Sequence, residues 1–216
     1  MNIWILSDES SWINHYLEDL CQSAVNNGHV VHWVHKVAEL GCGDICFLLG
    51  CGQMVPEHKR AGFNHCVVVH ESDLPRGRGW SPMTWQVLEG KRKIPICLLE
   101  ADEKVDSGVV YLRSFISLEG TELVEELRQK QAKETLKLVE TFLLNFETLR
   151  ENGEPQIGES SYYPRRSADD SEVDPERTLL ELFNAFRVAD NERYPVFFRH
   201  LGKEYQLRIS LRSKDD

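Results

Sequence analysis

Two residues of this chain can move protons near neutral pH from places where ligands bind. His70 closes the run Cys66-Val67-Val68-Val69, a β-branched apolar stretch that predicts a buried strand. The carboxyl end of such a strand is the edge on which open α/β sheets bind ligands. An imidazole there, with an ordinary pKa of about 6.5, can give or take a proton. Downstream, Asp106 leads into Ser107-Gly108 after a second apolar run. A carboxylate that reaches a histidine can orient the ring, stabilise the imidazolium and relay a proton through water. Taken singly, a histidine at a strand end is more often structural, so its surroundings decide.

The elements that must position these residues follow from hydrophobic period. Asn2–Ser7, His29–Val34, Asp44–Gly50 and Cys66–Val69 read as strands. The third is almost continuously apolar, as expected for a sheet covered on both faces. Ile13, Tyr16, Leu17, Leu20 and Ala24 recur at helical spacing between the first two, and Asn26-Asn27-Gly28 closes that helix. Pro56 starts a short helix, and Ser81 to Gly90 a further one. Two more strands are expected at 94–100 and 108–115, then one long amphipathic helix over 121–151. Pro175 is expected to open a helix to about Val188, and 195–212 to form a β-hairpin. Strands alternating with helices predict an α/β fold with a Rossmann-like, mostly parallel sheet, plus a short C-terminal helix and hairpin. The expected organisation is a core over 1–152, a linker crossing it over 153–174, and a small C-terminal unit over 175–216. The first strand runs into Ser7-Asp8-Glu9-Ser10 instead of G-x-G-x-x-G, which argues against a dinucleotide cofactor.

A chain of 216 residues accommodates one such domain and a small appendage. The formal charge of −10 deprives it of the general attraction that nucleic-acid binders use. No run reaches the roughly 18 apolar residues of a membrane span, so a cytoplasmic location without nucleic-acid or membrane partners is expected. Six cysteines fit reduced thiols, with Cys46, Cys66 and Cys97 inside buried strands. Cys42, Cys46 and Cys51 lack a second ligand pair at metal spacing, and no metal site is expected.

The segment His70-Glu71-Ser72-Asp73-Leu74-Pro75, with Arg78-Gly79 and Pro82 after it and Asp106-Ser107-Gly108 further on, resembles the formyltransferases that use N10-formyltetrahydrofolate. The compact sugar N-formyltransferases of pseudaminic-acid-type pathways are the nearest likeness, over residues 1 to about 200. The resemblance implies that His70 and Asp106 are catalytic. It implies that Gly52, Gln53, Met54 and Val55 bind the folate pterin through backbone groups. Asp102, Glu103, Lys104 and Val105 would form the other wall of that pocket. Arg78, Trp80, Arg165 and Arg166 are candidates for the acceptor; Arg78 reads equally as a tie between its loop and a carboxylate, and Arg165 and Arg166 read more readily as a linker salt-bridged to Asp169 and Asp170. Trp85, one turn before Leu88, reads as a core aromatic.

The expected function is transfer of a formyl group to the amine of a nucleotide-linked amino-deoxysugar. The alternatives are formylation of an aminoacyl group on a carrier protein and a non-catalytic folate- or sugar-nucleotide-binding relative. Methionyl-tRNA formyltransferases add a C-terminal barrel, for which too few residues follow here. A homodimer is compatible with the sequence. One departure matters: the family's asparagine two residues before the histidine is Val68 here, so either another donor, such as Ser72 or a backbone N–H, serves the formyl oxygen or the oxyanion is less well stabilised.

Overall fold

The computed structural model describes residues 1–212; residues 213–216, the end of the expected C-terminal unit, lie outside the described residues. Its centre is a six-stranded sheet in the order β2-β1-β3-β4-β6-β7. The strands are β1 (Asn2–Leu6), β2 (Val30–Val34), β3 (Gly43–Leu48), β4 (Phe63–His70), β6 (Lys93–Glu100) and β7 (Val110–Ser117). A two-residue strand, β5 (Arg78–Gly79), lies outside it. The first four strands are parallel. β6 runs antiparallel to β4, with His70 opposite Cys97, and β7 runs antiparallel to β6. The fold is thus α/β with a Rossmann-like, mostly parallel sheet.

Helices α1 (Asn14–Asn26) and α4 (Val124–Leu144) cover one face. Leu17, Leu20 and Ala24 of α1, and Leu127, Leu138, Val139 and Phe142 of α4, join Ile3, Ile5, Ile45, Phe47 and Val67 in the main core. The phenyl rings of Phe47 and Phe142 meet edge to face, 6.3 Å between centroids. The other face buries Leu6, Leu40, Cys46, Phe63 and Cys66. Short helices α2 (Glu57–Arg60) and α3 (Pro82–Leu88) follow β3 and precede β6. The six cysteines are free thiols, and Cys46, Cys66 and Cys97 are buried.

Two expectations need correction. The single helix over 121–151 is two helices. Asn145 leaves helical geometry at φ −115° and caps Thr141 O with both its backbone N–H and its Nδ2. α5 (Phe146–Leu149) then restarts and drives Phe146 into the core. The helix expected from Pro175 to Val188 is only α6 (Phe183–Arg187). Ahead of it, Thr178 and Glu181 form a reciprocal capping pair, the Glu181 carboxylate accepting from the Thr178 N–H and the Glu181 N–H donating to Thr178 Oγ1, so the helical turns begin only after Pro175 and its neighbours. Leu179 and Leu180 are left exposed while Leu182 and Phe186 pack with Val173 and Val196. The hairpin forms as β9 (Val196–His200) and β10 (Lys203–Leu207). Before it, the polar segment after Asn152 contributes β8 (Tyr162–Tyr163), which pairs in parallel with β5.

Candidate active site

His70 ends β4 and is 5% exposed. Its Nε2 lies 2.8 Å from the carbonyl oxygen of Gly77. A carbonyl only accepts, so the ring carries its proton on Nε2 and turns the Nδ1 lone pair elsewhere. Nδ1 faces Asp106 Oδ2 at 3.6 Å. That distance is too long for a direct hydrogen bond. With a neutral ring both atoms are acceptors, so a donor entering between them completes the pair. Asp106 itself is buried, and its Oδ2 accepts the Gly79 backbone N–H at 2.8 Å.

Two glycines make this possible. At Gly79, φ is +97° and a Cβ would fall 2.5 Å from Tyr163 O, so any side chain would push β5 off β8. At Gly108 a Cβ would overlap Glu100 O, which explains the glycine of the Asp-Ser-Gly loop. Asp106 adopts φ +53°, a left-handed conformation that aspartate tolerates.

The segment before β8 braces both partners. Gln156 Nε2 donates to Asp106 O at 2.8 Å and Gly108 O at 2.9 Å, while its Oε1 accepts from Arg78 Nη2 at 2.6 Å. Ser161 accepts the Gly77 N–H on its hydroxyl and the Arg78 N–H on its carbonyl. Nothing in the polar composition of this stretch singled out Gln156 or Ser161; only the fold brings them to the site.

The pair borders a cavity of about 480 Å³. Gly52, Gln53, Met54 and Val55 line it from one side and Asp102, Lys104, Val105 and Asp106 from another. Asp8 organises the first loop: its carboxylate accepts from Gly52 N and from Gln53 Nε2. The Gln53 side chain is therefore tied inward, and the loop's main-chain groups left without partners among the described residues are the Gly52 carbonyl and those of Met54 and Val55. Glu103 does not line the cavity; its N–H caps the Asp102 carboxylate within the loop.

Of the acceptor candidates, Trp80 lines the cavity, its ring lying over Gly52. Arg78, Arg165 and Arg166 do not. The Arg165 guanidinium sits 4.7 Å from the centre of the Trp80 ring and reaches the site only through it. Arg166 donates to Asp170 O and lies over Trp85. Trp85 corrects another expectation: it is half-buried outside the core, stacked on Tyr163 and donating to Pro164 O. The cations that do line the cavity are Arg60, Lys104 and Arg193. Ser72 packs beneath Gly77 and is not a cavity residue, so it does not replace the missing asparagine. Val68 presents an apolar surface there.

Glu71 follows His70 into the cavity. Its Oε1 accepts from Gln131 Nε2 of α4 at 2.8 Å, and its backbone carbonyl from Gln86 Nε2 of α3 at 2.6 Å. Burial holds its carboxyl above the usual carboxylate range, against the influence of His70.

Fold and site together define an α/β protein with a histidine–aspartate pair at the carboxyl edge of its sheet, beside a cavity walled by two loops. The family model described as "Formyl transferase" matches residues 31–142, and the chain belongs to that family. The methionyl-tRNA formyltransferase of Rickettsia rickettsii (strain Iowa) is 29% identical over 148 residues, 67% of this chain and 46% of that protein. The chain thus spans about half the length of the curated relatives it matches. Among solved structures, a methionyl-tRNA formyltransferase from Clostridium thermocellum superposes with a TM-score of 0.83 at 21% identity, covering 100% of this chain and 95% of that one. A 4-N formyltransferase from Francisella tularensis gives 0.74 at 15% identity, covering 98% of both chains. HypX from Aquifex aeolicus, solved with tetrahydrofolic acid, gives 0.78 at 20% identity over 96% of this chain and 37% of that one. At these identities the superpositions show the fold. Among the described residues no helix is long and apolar enough to cross a membrane, and no cluster of His, Cys, Asp and Glu could hold a metal ion.

Proposed function

We propose that the protein transfers a formyl group from N10-formyltetrahydrofolate to the amine of a nucleotide-linked amino-deoxysugar. The observation that carries the formyl-transfer reading is the His70–Asp106 pair, 3.6 Å apart, at the junction of the two loops that wall the cavity. N10-formyltetrahydrofolate would supply the activated formyl group. Its pterin carries donors and acceptors on one edge, which suits the free main-chain groups of Met54 and Val55 beside the 101–106 loop. The Nδ1 lone pair of His70 and Asp106 Oδ2 take up the N–H of the attacking amine and hand the proton on. The Gly77 carbonyl and Gly79 N–H hold both groups in place for that transfer.

Likeness over nearly the whole of both chains to a sugar N-formyltransferase from Shewanella sp FDAARGOS_354 supports a sugar acceptor. So does the Trp80–Arg165 shelf at the cavity mouth, a cation-backed ring suited to a nucleotide base. The names of the Rickettsia and Clostridium proteins favour a second reading, methionyl-tRNA. The net charge of −10 speaks against an RNA acceptor. Mass spectrometry for the gain of one CO unit decides between them. The assay offers dTDP-, UDP- and GDP-linked 3- or 4-amino-deoxysugars and initiator methionyl-tRNA in parallel. Formylation of a sugar nucleotide is expected. Robust tRNA formylation with an unmodified sugar panel would install the second reading.

A further inference from the structure

We propose that Glu71 binds the ammonium group of the acceptor and takes the first proton from it. The inference rests on the formyl-transfer reading above and gives that reaction the group that receives its substrate amine.

Two other carboxylates set into the fold have partners of opposite charge, and Asp106 has His70 and the Gly79 N–H. Glu122 meets Arg187 and Lys130, each at 2.9 Å, and Asp190 meets Arg128 at 2.8 Å. Glu71 instead has an amide, Gln131, on Oε1 and the cavity on its other side. A half-buried carboxylate whose partners, the Gln131 amide and its own backbone N–H, are both neutral keeps an uncompensated charge. A ligand cation arriving in the cavity supplies what the fold withholds.

Position fixes which cation. Glu71 is adjacent in sequence to His70, and both border the same cavity as Asp106. The Gln86 bond to the Glu71 carbonyl and the Gln131 bond to its carboxylate clamp it from two helices. His70 and Asp106 are the titratable groups that act on it, while α3 and α4 face it with uncharged amides. An alkyl ammonium seated here stands beside the pair that must receive its next proton.

The chemistry closes. An amino sugar reaches the enzyme as R–NH3⁺, which has no lone pair with which to attack. One proton passes to the Glu71 carboxylate, leaving a neutral amine and a carboxylic acid. The lone pair forms a bond to the formyl carbon as that carbon's bond to N10 breaks. A second proton leaves the acceptor nitrogen through His70 and Asp106 for N10. Glu71 then returns its proton to solvent. The products are the formamide, tetrahydrofolate and one proton. Burial, which holds Glu71 above the ordinary carboxylate range, makes it a better base for the first transfer.

The test compares the full-length wild type with Glu71→Gln and Glu71→Asp, all checked for native melting. Each is assayed with the panel of dTDP-, UDP- and GDP-linked amino-deoxysugars from pH 6.5 to 9.5. At pH 7, Glu71→Gln should lose about 10²-fold in kcat/KM for the acceptor, with the donor KM within about twofold. Glu71→Asp should recover part of that loss. The Glu71→Gln deficit should shrink about tenfold toward pH 9.5, where the amine is neutral without help. A deficit that stays constant with pH, or turnover within threefold of wild type, would overturn the assignment to Glu71 and leave formyl transfer standing. A wild type that formylates no amine of the panel overturns the parent reading, and the Glu71 role with it.

Discussion

Replacing Asp106 by Asn tests the proton relay with the least disturbance to geometry. The amide is isosteric, and its oxygen can keep the Gly79 N–H bond that now runs to Asp106 Oδ2 at 2.8 Å. What disappears is the negative charge 3.6 Å from His70 Nδ1. When His70 takes the amine's proton it becomes an imidazolium. At an effective dielectric constant of about 20, unit charges at that separation attract by about 4–5 kcal/mol. Losing that attraction lowers kcat by roughly 10³-fold. A role confined to orienting the ring predicts far less, because the Gly77 carbonyl already holds Nε2. The assay is single-turnover formylation followed by mass spectrometry, with the affinity for 5-formyltetrahydrofolate measured alongside. That affinity should hold within about threefold, since Asp106 meets the reacting amine and the pterin is expected on backbone groups. A folded Asp106→Asn protein turning over within tenfold of wild type would refute the relay.

Three further outcomes follow from the same geometry. Gln156→Ala strands two carbonyls and Arg78, and should cost about 2–3 kcal/mol in urea unfolding together with at least a tenfold loss in kcat; loss of stability alone would mean the brace does not govern the site. Burial pushes the Glu122 carboxyl up, but the Lys130 ammonium and the Glu119 and Gly120 N–H groups outweigh it and hold its pKa at about 2. Its contribution is therefore complete above the ordinary carboxylate pKa and drains away as pH falls toward 2, so the stability gap between wild type and Glu122→Gln should narrow by about 2 kcal/mol from pH 6 to pH 3; a parallel gap would refute this. Titration with 5-formyltetrahydrofolate should raise the melting temperature, with turnover unchanged by chelator; a flat titration would remove the folate site and a chelator-sensitive rate the metal-free mechanism.

The sheet was legible in the sequence because its strands are short apolar runs punctuated by Gly, Asn and Pro, and because covered strands tolerate few polar residues. His70 and Asp106 were legible because their loops carry unusual local requirements. Gly79 and Gly108 sit where a Cβ would strike backbone, and those constraints leave a pattern. The break at Asn145 and the lost turns of the 175–188 helix were not legible. The first arises from one amide closing on the preceding turn, the second from the Thr178–Glu181 capping pair, which sets the start of the helical turns late in a pattern that reads as continuous helix. The placement of Arg165 and Arg166 was not legible for a different reason. A cation in sequence near a site says nothing about whether it faces the cavity, and here the two guanidiniums stack on Trp80 and Trp85 while Arg193 lines it.

The stretch read as a linker from its polar composition is the part of the chain that makes the His70–Asp106 pair rigid. β4 delivers His70, and the loop after β6 delivers Asp106, but neither element fixes the other. The two are joined through Gly77 and Gly79, which accept from His70 and donate to Asp106 respectively. That loop is in turn held from outside the sheet, by Ser161 on Gly77 and Arg78 and by Tyr163 O on the Trp80 N–H. Gln156 closes the circuit from the Asp106 side. A crossing segment of this kind needs no apolar period, because backbone and amide hydrogen bonds carry the load. It also carries Arg165 to the Trp80 ring at the cavity mouth. Changes in it should therefore alter acceptor use and proton transfer together, whereas changes in the 52–55 loop should alter donor binding alone.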